Sequence, residues 1–328
     1  MPNLAIMNEL RYSRRVLYMG TGGIEKRLVT QAGYPFFEVD CPKLERSLTL
    51  KNLTVPFRLK AAVKKAVAIL EKEKPDLVFS KGGFASYPAA SAAHKLKIPL
   101  LTHESDLSPG LCTKLIAKKC KLVLTSFPDT AKLFANGQCV GSPIRKEILS
   151  GEKMRARKKY NLTGNKPVLL VLGGGSGSRA LNEGVRAFLD ELLKEFSILH
   201  LTGKGNAVET KREDYVQREY EDDMGSAYAA ADLVLCRAGS NTVFELLALQ
   251  KPCVLVPLQK GSRGDQVENA LYFQERGLCR VLYEKELGTL YETLLEAHRD
   301  EALKEALKTA DVHSGVPDIL SLIAKYAD

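Results

Sequence analysis

The stretch from Leu233 to Ala270 sets the strongest limit on the fold. Residues 233–236 and 253–257 read as two short apolar strands. The first runs into a tight polar turn, Arg237-Ala238-Gly239-Ser240-Asn241, and a helix over 242–249. The second runs into a Gly-rich loop that delivers Gly264-Asp265-Gln266-Val267-Glu268-Asn269-Ala270 to another helix. Apolar strands that end in small turns and polar residues are how an open α/β sheet builds a ligand crevice at its carboxyl edge.

The same alternation extends along the chain. Strands are expected at 15–20, 36–40, 77–79, 99–102 and 121–125, then at 167–172, 197–201 and 215–216. Helices over 58–74, 87–96 and 179–193 are among those between them. Strand and helix alternating at this spacing mean βαβ units, parallel sheets and helices on both faces. A helix over 3–11 opens the chain, residues 41–57 read as irregular, and Gly141-Ser142-Pro143-Ile144-Arg145 with the charged run 152–159 reads as a linker. Two doubly wound α/β domains follow, divided at 150/151, with a last amphipathic helix over 317–326. At 328 residues and 45% apolar content, the chain is long enough to give each a full core.

Cysteine usage and charge narrow the function classes. Seven cysteines lie far apart with no CxxC pair and no His at metal-ligand spacing, as expected of reduced core residues in a cytosolic protein. No window approaches the roughly 18 to 20 apolar residues of a membrane span, so the chain is expected to be neither exported nor membrane-spanning. Net charge is +12 over residues 1–150 and −3 over 151–328, which implies an anionic partner for the first half. RNP, helix-turn-helix and zinc-finger patterns are missing, which disfavours nucleic acid. The helix over 58–74 carries Leu59, Ala62, Val63, Ala66, Val67 and Leu70 on one stripe, with Arg58, Lys60, Lys64 and Lys65 elsewhere. An anionic membrane surface suits that basic face better; helix packing alone explains the stripe.

Several motifs carry possible chemistry. Gly173-Gly174-Gly175-Ser176-Gly177-Ser178 sits between a buried strand and a helix, where free N–H groups and the helix dipole favour an anion. Gly175-x-Gly177-x-x-Ala180 fits the dinucleotide fingerprint, but the next strand ends in Thr202-Gly203-Lys204, without the ribose-reading acid. A phosphate or sugar contact is favoured over NAD, and a purely structural turn is the other reading. Glu245 either closes a capping box with Thr242 or accepts two ribose hydroxyls, and the residues alone do not choose. Asp265, Gln266 and Asn269 share one helical face that suits neutral hydroxyls, a solvated helix start being the plainer account. His103-Glu104 follows a strand and lacks a third metal ligand, leaving acid–base chemistry or a structural hydrogen bond. Asp222-Asp223 reads as a helix cap rather than a metal site.

Taken in order, Phe79-Ser80-Lys81-Gly82-Gly83-Phe84, His103-Glu104-Ser105-Asp106 with Pro109-Gly110, Gly141 to Arg145, Gly173 to Asn182, Tyr220-Glu221-Asp222-Asp223-Met224, Arg237 to Glu245, and Asp265-Gln266 with Asn269-Ala270 carry a resemblance. The chain resembles the MurG family, the UDP-N-acetylglucosamine:lipid I N-acetylglucosaminyltransferases of peptidoglycan synthesis. The resemblance implies a GT-B fold of two Rossmann-like domains: an acceptor domain over 1–150, a donor domain over 151–314, and a helix at 315–328 returning to the first. It implies that Glu245 binds the ribose, that Gln266 and Asn269 read the sugar with Asp265 in the same donor site, and that the backbone at Glu221 reads uracil. Gly175 and Ser176 of the Gly-rich loop join the same donor site by this resemblance. Arg145 and the helix start at Ser240, Asn241 and Thr242 would neutralise the diphosphate, so neither metal nor cofactor is expected. The chemistry implied is inverting: the C4 hydroxyl of undecaprenyl-linked lipid I attacks the anomeric carbon and UDP leaves. Its place would be peripheral, on the anionic cytoplasmic face of the bacterial cell membrane.

Three departures stand out. The family's opening strand and Gly-rich loop, ending in the His that is its usual general-base candidate, has no counterpart before Pro2-Asn3-Leu4, so the first domain is expected to be N-terminally truncated. The family's Gly-Gly-Ser is Gly173-Gly174-Gly175 here, and its His-Glu-Gln-Asn reads His103-Glu104-Ser105-Asp106, with Thr113 for a later Asn. His103 or Asp106 is the expected substitute base. Two further readings stand beside the transferase: a catalytically impaired UDP-sugar binder, and a related GT-B enzyme such as a glycolipid glycosyltransferase or a UDP-sugar 2-epimerase.

Overall fold

The computed structural model describes residues 2–42, 51–162, 164–259 and 263–327. The chain forms two compact units, residues 1–143 with 314–328, and residues 144–313. The first unit holds β1 (Tyr18–Gly20), β2 (Phe36–Glu38), β3 (Val78–Ser80), β4 (Leu100–Glu104), β5 (Leu122–Thr125) and β6 (Gly137–Cys139). All pair in parallel, but in two separate sheets, β1-β2 and β3-β4-β5-β6. Between the two sheets runs a slot of about 440 Å³, lined by Tyr18 to Gly20 on one side and Leu77 to Ser80 on the other, with Ile6, Leu10, Leu70 and Ile323 around it. Tyr18 N donates to Pro35 O and Val39 N to Gly20 O, so the intervening Met19 turns its main chain away from β2.

The second unit holds β7 (Val168–Leu172), β8 (Ser197–Leu201), β9 (Tyr215–Arg218), β10 (Leu233–Cys236), β11 (Cys253–Leu255) and β12 (Arg280–Val281) in one parallel sheet of order β12-β11-β10-β7-β8-β9. Every residue of β7, β8, β10 and β11 is buried, as expected of strands with helices on both faces; β7, β10 and β11 are continuous apolar runs, whereas β8 also buries Ser197 and His200. The chain winds outward from β7 to β9, then returns to β10 on β7's other side. The topological switch point therefore lies between β7 and β10.

Some local expectations give way to tertiary packing. The helix expected from Arg58 spans Lys51–Glu73, so it includes the 51–57 stretch read as irregular and Pro56 within it; residues 43–50 lie outside the described residues. Burial of Val55, Ala62, Ala66 and Leu70 outweighs the local resistance that Pro56 imposes. The charged run expected to be a linker is the helix Lys153–Lys159, capped by Glu152 and tied by Arg157 and Lys153 to Asp232 at 2.6 and 2.5 Å. The helix expected over 179–193 breaks at Phe188 into Arg179–Ala187 and Leu189–Glu195. The closing helix Val316–Ala327 belongs to the first unit, where Ile319 and Ile323 join Ile6, Leu101 and Leu124 in the core. Cys139, on the edge strand β6, is exposed rather than in the core. Among the described residues no helix is long and apolar enough to cross a membrane.

Candidate functional site

At the switch point of the second unit lies a cavity of about 500 Å³. Leu172 at the end of β7, the turn residues Gly173, Gly174, Gly177 and Ser178, and then Arg237, Gly239, Thr242, Gln266 and Glu284 are among its walls. The Gly-rich turn owes its path to Gly177. Its φ is +77°, and a Cβ built there would sit 2.2 Å from the Thr202 carbonyl oxygen. A buried network holds that carbonyl in place: Asn182 Nδ2 donates to it at 2.9 Å, and Asn182 Oδ1 lies 2.9 Å from His200 Nε2. Since Oδ1 only accepts, Nε2 carries the proton and Nδ1 accepts from Tyr215 Oη at 2.8 Å. Burial, with Arg186 nearby, holds His200 down to about 3, so the network stays neutral.

The helix Ser240–Ala248 begins at the cavity with Gly239 as its N-cap, a residue with no side chain to cap it. The positive dipole end of the helix thus faces the cavity, an arrangement that favours a phosphate. This start also excludes the capping box. Because the helix begins at Ser240, Glu245 lies in its second turn, one turn beyond the cavity-lining Thr242. Its Oε2 accepts from Tyr228 Oη at 2.9 Å, and burial raises its pKa against the opposing effects of Tyr228 and Arg145.

The other expected donor contacts are placed unevenly. Gln266 lines the cavity, with Oε1 accepting from Leu258 N at 3.0 Å and its amide NH₂ left as the donor it can offer. Asn269 has no exposed surface and points Nδ2 at the Ala238 carbonyl at 3.4 Å, so it supports the loop after β10 instead of meeting a sugar hydroxyl directly. Asp265 accepts from Arg263 N at 3.0 Å. Ser240 is buried, while Gly175 and Ser176 form the exposed tip of their loop, outside the cavity wall. Arg145 acts on Glu245 through space and does not line the cavity. Glu221 uses its carboxylate on Lys159 at 3.2 Å and on Asp223 N at 2.9 Å.

Arg237 was not expected in the site. Nη2 donates to Ser178 Oγ at 2.8 Å and to Glu284 at 2.5 Å, and Nη1 reaches Val256 O at 3.1 Å, so one guanidinium ties the Gly-rich turn to two other segments of the wall. Its position directly after β10 was the available signal.

The first unit has a polar cluster at the carboxyl ends of β3 and β4. The whole of β4 is buried although it ends in Thr102-His103-Glu104. Glu104 accepts from Ser105 N and Asp106 N at 3.0 and 3.3 Å through Oε1, and from Gly110 N and Thr113 Oγ1 at 3.0 and 2.6 Å through Oε2. One carboxylate thereby shapes the loop 105–110. His103 Nε2 lies 2.9 Å from the Gly141 carbonyl, which can only accept, so Nε2 carries the proton; Nδ1 accepts from Lys81 Nζ at 2.8 Å. Burial and the Lys81 charge hold its pKa well below the ordinary range. The proton-accepting role expected of His103 therefore does not fit, because neither ring nitrogen has a lone pair to offer. Among the described residues no group of three His, Cys, Asp or Glu side chains is arranged to hold a metal ion.

Two family profiles match the chain, the second running past the second unit into the closing helix. The profile of the Glycosyltransferase family 28 N-terminal domain matches residues 1–125, and that of the Glycosyltransferase family 28 C-terminal domain matches residues 168–323. Two curated relatives, from Clostridium perfringens (strain SM101 / Type A) and Clostridium botulinum (strain Loch Maree / Type A3), are each 42% identical to this chain. Both are named UDP-N-acetylglucosamine--N-acetylmuramyl-(pentapeptide) pyrophosphoryl-undecaprenol N-acetylglucosamine transferase, and the matches cover 99% of this chain and 94% and 95% of theirs. The crystal structure of Acinetobacter baumannii MurG matches with a TM-score of 0.73 at 25% identity, over 99% of this chain and 95% of that one. UDP-GlcNAc 2-epimerase from Neisseria meningitidis bound to UDP-GlcNAc matches at 0.69 and 13% identity, over 99% and 95%, a likeness of fold alone.

Proposed function

This chain belongs to the MurG family within glycosyltransferase family 28, and from that membership we infer that it transfers N-acetylglucosamine from UDP-N-acetylglucosamine to lipid I, forming lipid II. It is a hexosyltransferase of GT-B fold. The observation that carries the donor reading is the switch-point cavity, with a helix start whose N-cap is Gly239 at its edge and Glu245 released from capping. Diphosphate at the helix start and the Gly-rich turn would have its developing charge met by amides already in place, with Arg145, outside the cavity wall, adding positive charge only from a distance. Glu245 would take the ribose and Gln266 a sugar hydroxyl, while Asn269 and Asp265 hold the loops that present them. The displacement is inverting: the acceptor oxygen bonds to the anomeric carbon as the bond to the diphosphate breaks.

The test is transfer of labelled N-acetylglucosamine to a lipid I analogue, run beside a UDP titration. Binding without transfer favours a UDP-sugar binder instead. Glu245→Ala is expected to weaken UDP binding by about 1 to 3 kcal/mol, the scale of hydrogen bonds to a charged group. Unchanged affinity in the titration would remove Glu245 from the donor site.

The first unit is the proposed membrane face. Its helix Lys51–Glu73 exposes Lys60, Lys64 and Lys65, with Arg58 held 3.0 Å from Asp40 and Phe57 78% exposed beside it. The helix Leu111–Ile116 exposes Leu111 and Leu115, one turn apart and flanked by Lys114 and Lys118. Apolar groups ringed by lysines suit the boundary of an anionic leaflet. Co-sedimentation should favour phosphatidylglycerol over phosphatidylcholine vesicles and fall when Phe57 and Leu115 are both changed to serine. Equal partition into both vesicle types would rule out this face.

A further inference from the structure

Lys81 opens the turn after β3, and its amine end is enclosed beneath the first residues that follow β4, though part of the side chain is exposed. Nζ lies 2.8 Å from His103 Nδ1 and is hydrogen-bonded to Ser105 Oγ. Since His103 is protonated on Nε2, its Nδ1 can only accept from Lys81. One N–H of the amine is thereby fixed, and in the neutral amine the lone pair is available to the Ser105 hydroxyl. Ser105 itself is partly exposed, at the carboxyl edge of the sheet where an open parallel sheet meets its ligands. The backbone N–H of Ser105 is bonded to Glu104, which sets the residue's position on the loop.

We propose that Ser105 and Lys81 form the proton relay that deprotonates the acceptor hydroxyl, Ser105 touching the substrate and Lys81 holding the proton; this rests on the transferase reading above. In the step, the acceptor oxygen bonds to the anomeric carbon as the carbon–oxygen bond to the diphosphate breaks, and that electron pair leaves with UDP. The acceptor's proton passes to Ser105 Oγ while Ser105's own proton passes to Lys81 Nζ. Glu104 and Asp106 stabilise the ammonium so formed, and His103 keeps the amine aimed at Ser105. Burial pulls Lys81 down to about 7 against the opposing carboxylates of Glu104 and Asp106, so the neutral base is present near neutral pH. Asp106 thus acts through Lys81 and is a positioning residue.

The experiment compares wild type with Ser105→Ala, Ser105→Thr and Lys81→Met in lipid I analogue transfer, UDP-GlcNAc titration and pH profiles. Ser105→Ala and Lys81→Met should lose about 100-fold or more in kcat, the scale of a positioned general base, with donor affinity unchanged. Ser105→Thr, which keeps the hydroxyl, should retain most of the rate. The wild-type rate should rise with pH through about 7, because only the free amine accepts the proton, and NMR titration of the Lys81 side chain should show the same midpoint. Where Lys81→Met unfolds the loop, Ser105→Ala decides, since it leaves the lysine in place. Full activity of Ser105→Ala, or a lysine that titrates near its ordinary value, overturns the relay while leaving the transferase intact. A wild type that binds UDP-GlcNAc but transfers nothing overturns both.

Discussion

Replacing Glu104 by alanine is expected to destabilise the first unit by about 3 kcal/mol and to abolish transfer. The carboxylate accepts from three backbone amides and the Thr113 hydroxyl, and it is 7% exposed. Hydrogen bonds to a charged group are worth roughly 1.5 to 3 kcal/mol each, but amides on a loop can turn to water once released, so the total falls well short of the sum. For a unit of this size the loss should lower its melting temperature by about 6 to 12 °C. UDP binding should persist, because the switch-point cavity is built wholly from the second unit. Thermal melting and UDP titration of the same variant check the two halves separately. A variant that melts like wild type would mean that the loop is held by something other than Glu104.

Gly177→Ala should weaken donor binding by about 100-fold. The new methyl would stand 2.2 Å from the Thr202 oxygen and 2.8 Å from Gly203 Cα, both main-chain atoms, at a φ of +77°. Neither neighbour is a flexible side-chain tip, and Asn182 and His200 brace the Thr202 carbonyl from behind. Left-handed backbone costs alanine about 1 kcal/mol and overpacking about 1 to 3 more. The cheapest relaxation moves the Gly-rich turn off β8, which displaces the cavity wall and should reduce UDP affinity by about 100-fold. Gly288→Ala, where an added Cβ meets nothing within 4 Å, is the control and should bind UDP normally. Retained affinity in Gly177→Ala would show that the donor does not use this turn.

What the sequence disclosed and what it hid follow a physical line. The strands β7 and β10 are continuous apolar runs bounded by turns, a pattern that needs no partner to be read. Glu245 was ambiguous because its role hangs on where the helix begins, and Gly239 moves that start to Ser240, two residues before the expected Thr242. The run 152–159 looked like a linker because Asp232, the residue that anchors it, is more than seventy positions away. His103 lost its expected role through Lys81 and Gly141, 22 and 38 residues distant. Arg237 is similar, its carboxylate partner lying 47 residues on. Strand identity is local information, whereas the bonding that decides whether a side chain is free to react is long-range.

The parted sheet of the first unit has a consequence for how that unit comes apart. Among the described residues no strand pairing joins β1-β2 to β3-β4-β5-β6, so side chains carry the connection: Met19 packs with the Ala66 and Ala90 cluster, Arg15 meets Glu73 at 2.7 Å, and the helix Pro2–Leu10 bridges the two, Met7 packing with Tyr18 and Ile6 with Leu101 and Ile323. A two-stranded ribbon is marginal by itself and depends on what it packs against. The ribbon is therefore a separate cooperative layer, able to open while Lys81, His103 and Glu104 keep their bonds on the other sheet. Opening it bares two main-chain edges at once, the combination by which folded chains recruit one another into intermolecular sheets.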